Sequence, residues 1–110
     1  MKEVQRALAN IGIPVYELVL GATAPPPTQY IVYTTMTTED EHWDDTLLRY
    51  KVYVYLNLWS KSDPTEMTLT VRNAMRSGGF EMVEESDSFE DETEMYLISS
   101  TWVFWKDVSS

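Results

Sequence analysis

The residues best suited to chemistry crowd into one place. In the stretch TTEDEHWDDT, residues 37–46, five carboxylates (Glu39, Asp40, Glu41, Asp44, Asp45) and the single histidine, His42, fall within seven residues. Carboxylate oxygens at this density are hard ligands of the kind calcium and magnesium take. An imidazole beside them is the usual general base. The pattern fits neither use. It lacks the EF-hand spacing, the central glycine and the terminal bidentate glutamate. A Ser-His-Asp site needs an imidazole held by a rigid frame, whereas a run of like charges reads as a solvated hairpin tip. His42 then reads as a surface imidazole. Cations would be recruited only if several copies of the segment met at a symmetry axis, where stacked carboxylates repel one another.

Other routes to catalysis are closed off by composition. There is no cysteine, hence no thiol nucleophile, disulfide framework or zinc-thiolate site. No G-x-S-x-G and no glycine-rich phosphate loop occurs, and the four glycines, Gly12, Gly21, Gly78 and Gly79, each fall at the end of an expected element. The expectation is a protein that is not an enzyme, with no catalytic residue, no metal ligand and no cofactor.

The net charge of −10 is unevenly spread. Residues 39–45 hold five acids, and residues 81–94 hold eight: Glu81, Glu84, Glu85, Asp87, Glu90, Asp91, Glu92 and Glu94. The remainder carries five acids against all eight Lys and Arg. The chain is a nearly neutral body with two acidic segments and dispersed basic residues, a poor nucleic-acid binder because phosphate affinity comes from Lys and Arg.

The elements that must position these groups are legible in outline. With 110 residues and 44% apolar composition, one folded domain over residues 1–110 is expected. No secretory signal and no membrane span are expected, which points to a soluble intracellular product. Val4, Ala7, Leu8 and Ile11 mark one face of a short helix over 2–11, ended by Gly12 and Pro14. Residues 15–20 read as a short strand. Pro25, Pro26 and Pro27 then form a stiff extended connector.

Strands are expected over 30–38 and 47–59, joined by the acidic tip. In the second, Leu48, Tyr50, Val52, Val54, Leu56 and Leu58 alternate on one face, with Arg49, Lys51, Tyr53, Tyr55, Asn57 and Trp59 on the other. A helix follows, with Asp63 as N-cap, Pro64 at its first position and Glu66 completing a capping box. Its buried stripe is Met67, Val71, Ala74 and Met75, and Gly78 and Gly79 stop it. A strand over 80–85, an acidic turn over 86–94 and a long strand over 95–106 close the chain. The last strand sets Tyr96, Ile98, Trp102 and Phe104 on one face. The fold class is α+β, order α-β-β-β-α-β-β, a mainly antiparallel sheet with two helices packed on one face.

That architecture leaves an aromatic anomaly. Tyr53, Tyr55, Trp59 and Trp105 fall on the sheet face that the helices do not cover, where polar residues are usual. One reading is strand propensity alone, with the ring tips in water. The other is an interface with further subunits, to which the stiff arm Pro25, Pro26 and Pro27 would also contribute.

The ordered features resemble a known family. They are a short helix, a proline-led strand with Pro27 and YIVY at 30–33, and a strand ending LNLWS at 56–60 that runs directly into a capped helix. Two strands around an acidic turn then end in WVFW at 102–105. Over residues 4–106 the chain is similar to the tail-terminator, or tail-to-head joining, proteins of long-tailed bacteriophages and prophages.

The resemblance implies a virion structural protein at the tail-head junction, assembled in the host cytoplasm. Copies would form a homohexameric ring that ends tube polymerisation and joins tail to head. The implied partners are other copies of the chain, the tail tube protein, a head-completion or connector protein, and DNA that passes through the lumen without specific binding. No membrane partner is implied. A closing ring uses heterologous contacts, with Pro25, Pro26, Pro27, Tyr53, Tyr55, Trp59 and Trp105 as candidates. An acidic lumen would repel phosphates and let DNA slide, so the lumen or docking candidates are Glu39, Asp40, Glu41, Asp44, Asp45, Glu90, Asp91 and Glu92. The competing expectation is a small acidic inhibitor that mimics nucleic acid. That function needs acids spread along an extended regular surface, where this sequence reads as two acidic loops.

Overall fold

The computed structural model describes residues 1–18, 28–43 and 46–107. Its elements run α1 (Lys2–Ala7), β1 (Val15–Glu17), β2 (Gln29–Trp43), β3 (Thr46–Ser60), α2 (Thr65–Ser77), β4 (Glu81–Glu90) and β5 (Met95–Asp107). The five strands form one sheet in the order β1-β2-β3-β5-β4. Every pairing is antiparallel except β1 with β2, which is parallel.

The strict alternation of β3 decides which side is buried. Val52, Val54, Leu56 and Leu58 are all buried. Across the ladder they meet Phe104, Trp102, Ser100 and Ile98 of β5. Val4 and Leu8 from the N-terminal segment, and Val71 and Met75 from α2, close over the same side and complete one core with Ile31, Tyr33 and Phe80. Trp102 is fully enclosed, and its indole N–H donates to Ser100 Oγ at 2.9 Å, so the one polar atom it takes inside is satisfied.

Each helix departs from the expected bounds for a local reason. α1 stops at Ala7 rather than continuing to residue 11, and residues 8–13 form turns that carry Leu8 and Ile11 into the core. Gly12 takes φ +85°, the left-handed conformation that Cβ disfavours. α2 begins at Thr65, after Pro64 rather than on it. Asp63 still supplies the capping oxygen, accepting the Thr65 N–H at 3.0 Å and the Thr65 hydroxyl at 2.6 Å. At the other end of α2, a methyl group on Gly78 would lie 2.7 Å from the Ala7 Cβ. The small residue there is what lets α1 and α2 approach.

The largest corrections concern the strands. β2 does not end at residue 38 but runs to Trp43, pairing Glu39 with Tyr50, Glu41 with Arg49, His42 with Leu47 and Trp43 with Thr46, with register shifts on either side of Glu41. β4 runs to Glu90 rather than to residue 85, leaving only residues 91–94 as the turn. Backbone hydrogen bonds to a neighbouring strand are indifferent to side-chain charge, and a ladder with water on both sides accepts acids at every position. β1 is described over Val15–Glu17 only, and residues 19 and 20 of the expected strand lie outside the described residues.

Candidate interaction surfaces

The open sheet face is built by register. Tyr30 pairs with Trp59, Val32 with Asn57, Thr34 with Tyr55 and Met36 with Tyr53. On the other flank of β3, Lys51 pairs with Trp105, Tyr53 with Val103 and Trp59 with Leu97. Successive residues point to opposite sides, so all of these stand away from the core. Among the described residues no helix or strand crosses this face.

Its aromatic rings organise into two clusters. At one end Tyr16, Tyr30 and Trp59 touch, with ring centres 6.3 and 6.5 Å apart. Nearer the other end Tyr53 and Tyr55 stack at 6.4 Å. The Lys51 ammonium lies 5.2 Å from the Tyr53 ring and 5.7 Å from that of Trp105, and the Arg49 guanidinium lies 5.5 Å from Trp105. Each contact has cation–π geometry. Met36 remains 47% exposed and Tyr55 38%. The face thus carries an aromatic stripe interrupted at Asn57, and at one end Lys51 and Arg49, the latter flanked in the ladder by Glu41 and Asp107. Burial, and then the Glu90 carboxylate, push the Tyr30 hydroxyl above the usual tyrosine pKa.

The candidate interface residues are therefore partly brought together. Tyr53, Tyr55, Trp59 and Trp105 share the open face. Pro25, Pro26 and Pro27 lie outside the described residues.

The acidic candidates divide differently. Glu39, Asp40 and Glu41 belong to β2 near the hairpin end, where Glu39 and Glu41 lie opposite Tyr50 and Arg49, the last two β3 residues that pair with β5, at Lys106 and Asp107. Glu39 is exposed, while the side chains of Asp40 and Glu41, and the whole of Asp44 and Asp45, lie outside the described residues. Glu90 ends β4, and Asp91 and Glu92 occupy the exposed turn. The two acidic segments sit at separate points of the fold: β4 is one edge of the sheet and is two strands away from β3. Among the described residues, no three His, Asp or Glu side chains are arranged to share a metal ion, and no helix is long and apolar enough to cross a membrane.

Sequence reasoning missed a second surface, on the helix side of the sheet. A cleft of about 420 Å³ separates α2 from β4 and β5, lined by residues that include Asp63, Leu69, Arg72, Glu85, Asp87 and Tyr96. Arg72 Nε donates to Glu85 Oε2 at 3.0 Å, and this bond raises the already high arginine pKa. Beside the cleft Phe89 meets Tyr96 edge-on at 5.0 Å, and Leu69 and Phe89 are each 50% exposed. The usable signal was Phe89, an aromatic residue within an otherwise acidic run.

No protein-family model and no curated protein matches the sequence. Solved structures do share its architecture. One chain, 13% identical, superposes with a TM-score of 0.58 and covers 94% of this chain and 86% of its own. Another is a chain from the virion of a native gene transfer agent particle, 8% identical, with a TM-score of 0.56 and coverage of 94% and 84%. At these identities the likeness is one of fold: the α+β arrangement of this chain recurs, nearly end to end, in a protein of a gene transfer agent virion.

Proposed function

We propose that the chain is a structural, non-catalytic subunit of a virion, and that six copies close into a ring at the head-proximal end of a phage tail. The ring ends tube polymerisation and joins tail to head. The observation that carries this reading is the open face, where Tyr53, Tyr55, Trp59 and Trp105 form an aromatic stripe uncovered by any described element. Clustered aromatic surface on an open sheet face belongs at an interface. The recurrence of the fold in a gene transfer agent virion supports the setting.

In this reading the ring meets the tail tube protein on one side and a head-completion or connector protein on the other. DNA crosses its lumen unbound, kept mobile by carboxylates that repel phosphate. Glu39, Asp40 and Glu41, on the outer part of β2, face that lumen or an axial docking surface. Reversing all three to Lys leaves folding intact and impairs joining or DNA passage. Infectious particles at normal yield from the triple variant refute the assignment. Electron microscopy of particles that lack a ring of this subunit refutes the reading as a whole.

One observation favours a second reading. Glu81, Glu84, Glu85, Asp87 and Glu90 lie on a regular edge strand rather than in a loop, as an inhibitor that mimics nucleic acid requires. That reading expects a monomer in light scattering that binds a nuclease or polymerase in a salt-sensitive manner.

A further inference from the structure

A closed ring needs two unlike patches on each copy, one matching the other. We propose that the second patch is the cleft between α2 and the β4–β5 edge, and that it receives the open-face stripe of a neighbouring copy. The proposal rests on the ring reading and names its contact.

Both surfaces expose aromatic and aliphatic side chains, and Lys51 of one is opposite in charge to Asp87 of the other. The stripe presents Met36, Tyr53 and Tyr55 beside Lys51, which makes no ion pair with the described residues and only leans on aromatic rings. The cleft presents Leu69 and Tyr96, with Phe89 beside it against Tyr96, all at least 38% exposed. Its charged lining is three carboxylates, Asp63, Glu85 and Asp87, against the single guanidinium of Arg72. Glu85 is taken by Arg72 and Asp63 by the Thr65 N–H and hydroxyl, so Asp87 is the carboxylate of the lining that an incoming cation meets.

The surfaces also lie where head-to-tail contact requires. The stripe is on the face of β2 and β3 away from the helices, toward the Lys51–Trp105 end. The cleft is on the helix side of β4 and β5, at the opposite end of the ladder, where Tyr96 pairs with Ser60 and with Phe89. One copy therefore cannot satisfy itself, and because the two patches lie on opposite faces they cannot form the single self-complementary surface that a two-fold contact needs. Only a heterologous contact places Lys51 against Asp87.

The absence of cysteine makes the test direct. Full-length Tyr55→Cys and Phe89→Cys proteins are mixed and treated with a short bis-maleimide. Cross-links between unlike variants are expected to outnumber those within either variant alone. In parallel, Lys51→Glu and Asp87→Lys are each expected to weaken association about tenfold or more, and the double variant restores it. Met36→Cys with Leu69→Cys repeats the cross-link test should either first variant fail to fold. Predominant Tyr55→Cys homodimers, no cross-link in either mixture, or charge reversals without effect overturn the contact.

Light scattering on the unaltered chain separates this contact from the ring reading. Closed oligomers without the cross-link refute the contact and leave the ring. The cross-link with only dimers or open chains upholds the contact and refutes the ring.

Discussion

Replacing Tyr55 by Thr separates an interface residue from a core residue. Tyr55 sits mid-strand between Thr34 and Thr101 on its two neighbours, so threonine suits the local ladder and keeps β3 intact. The ring is 38% exposed. Of the roughly 150–250 Å² that a large aromatic buries when fully enclosed, about 60–95 Å² is still available to a partner. At about 25 cal/mol per Å² that area stabilises each subunit contact by about 2 kcal/mol, which corresponds to roughly a thirtyfold change in its dissociation constant. The fold itself loses the Tyr53–Tyr55 stack at 6.4 Å, about 0.5–1.5 kcal/mol. Sedimentation across a concentration series, together with urea unfolding at a concentration where the protein is dissociated, reads both quantities. Assembly at the unaltered concentration refutes the interface argument. An unfolding loss above about 3 kcal/mol assigns the residue to the core instead, since losses of that size come from core cavities.

Two further perturbations probe the scaffold that holds the surfaces. Gly78→Ala puts a methyl group 2.7 Å from the Ala7 Cβ and forces α1 off α2. A loss of about 1–3 kcal/mol is expected in chemical denaturation, and an unchanged midpoint refutes the close approach. Asp63→Ala removes the oxygen that caps Thr65 and lowers the melting temperature at neutral pH. The hydrogen bonds to Thr65 hold the Asp63 carboxyl below the usual carboxylate range, so its stabilisation is present above the unfolded value and is lost as pH falls through the folded one. The gap between wild type and variant therefore closes as pH is lowered below about 4, and a gap independent of pH refutes the cap.

What the sequence by itself determined was local. The alternation from Leu48 to Leu58 decides which side of β3 is buried, because successive strand residues must point oppositely. Val71 and Met75 lie one helical turn apart, so α2 presents one apolar stripe to the sheet. Gly78 follows as the C-cap. The open face was readable for the same reason, since Tyr53 and Tyr55 must stand opposite Val52 and Val54. The tertiary structure decided what depends on pairing between distant segments. Glu39 and Glu90 read as loop residues by their charge, yet they are strand residues because Tyr50 and Met95 lie across the ladder and satisfy their backbones whatever the side chain carries. The cleft needed the same long-range information. Leu69 comes from a helix and Phe89 and Tyr96 from two strands, and the β3–α2–β4 crossover with the Phe89–Tyr96 register brings them together around carboxylates that no linear pattern groups with them.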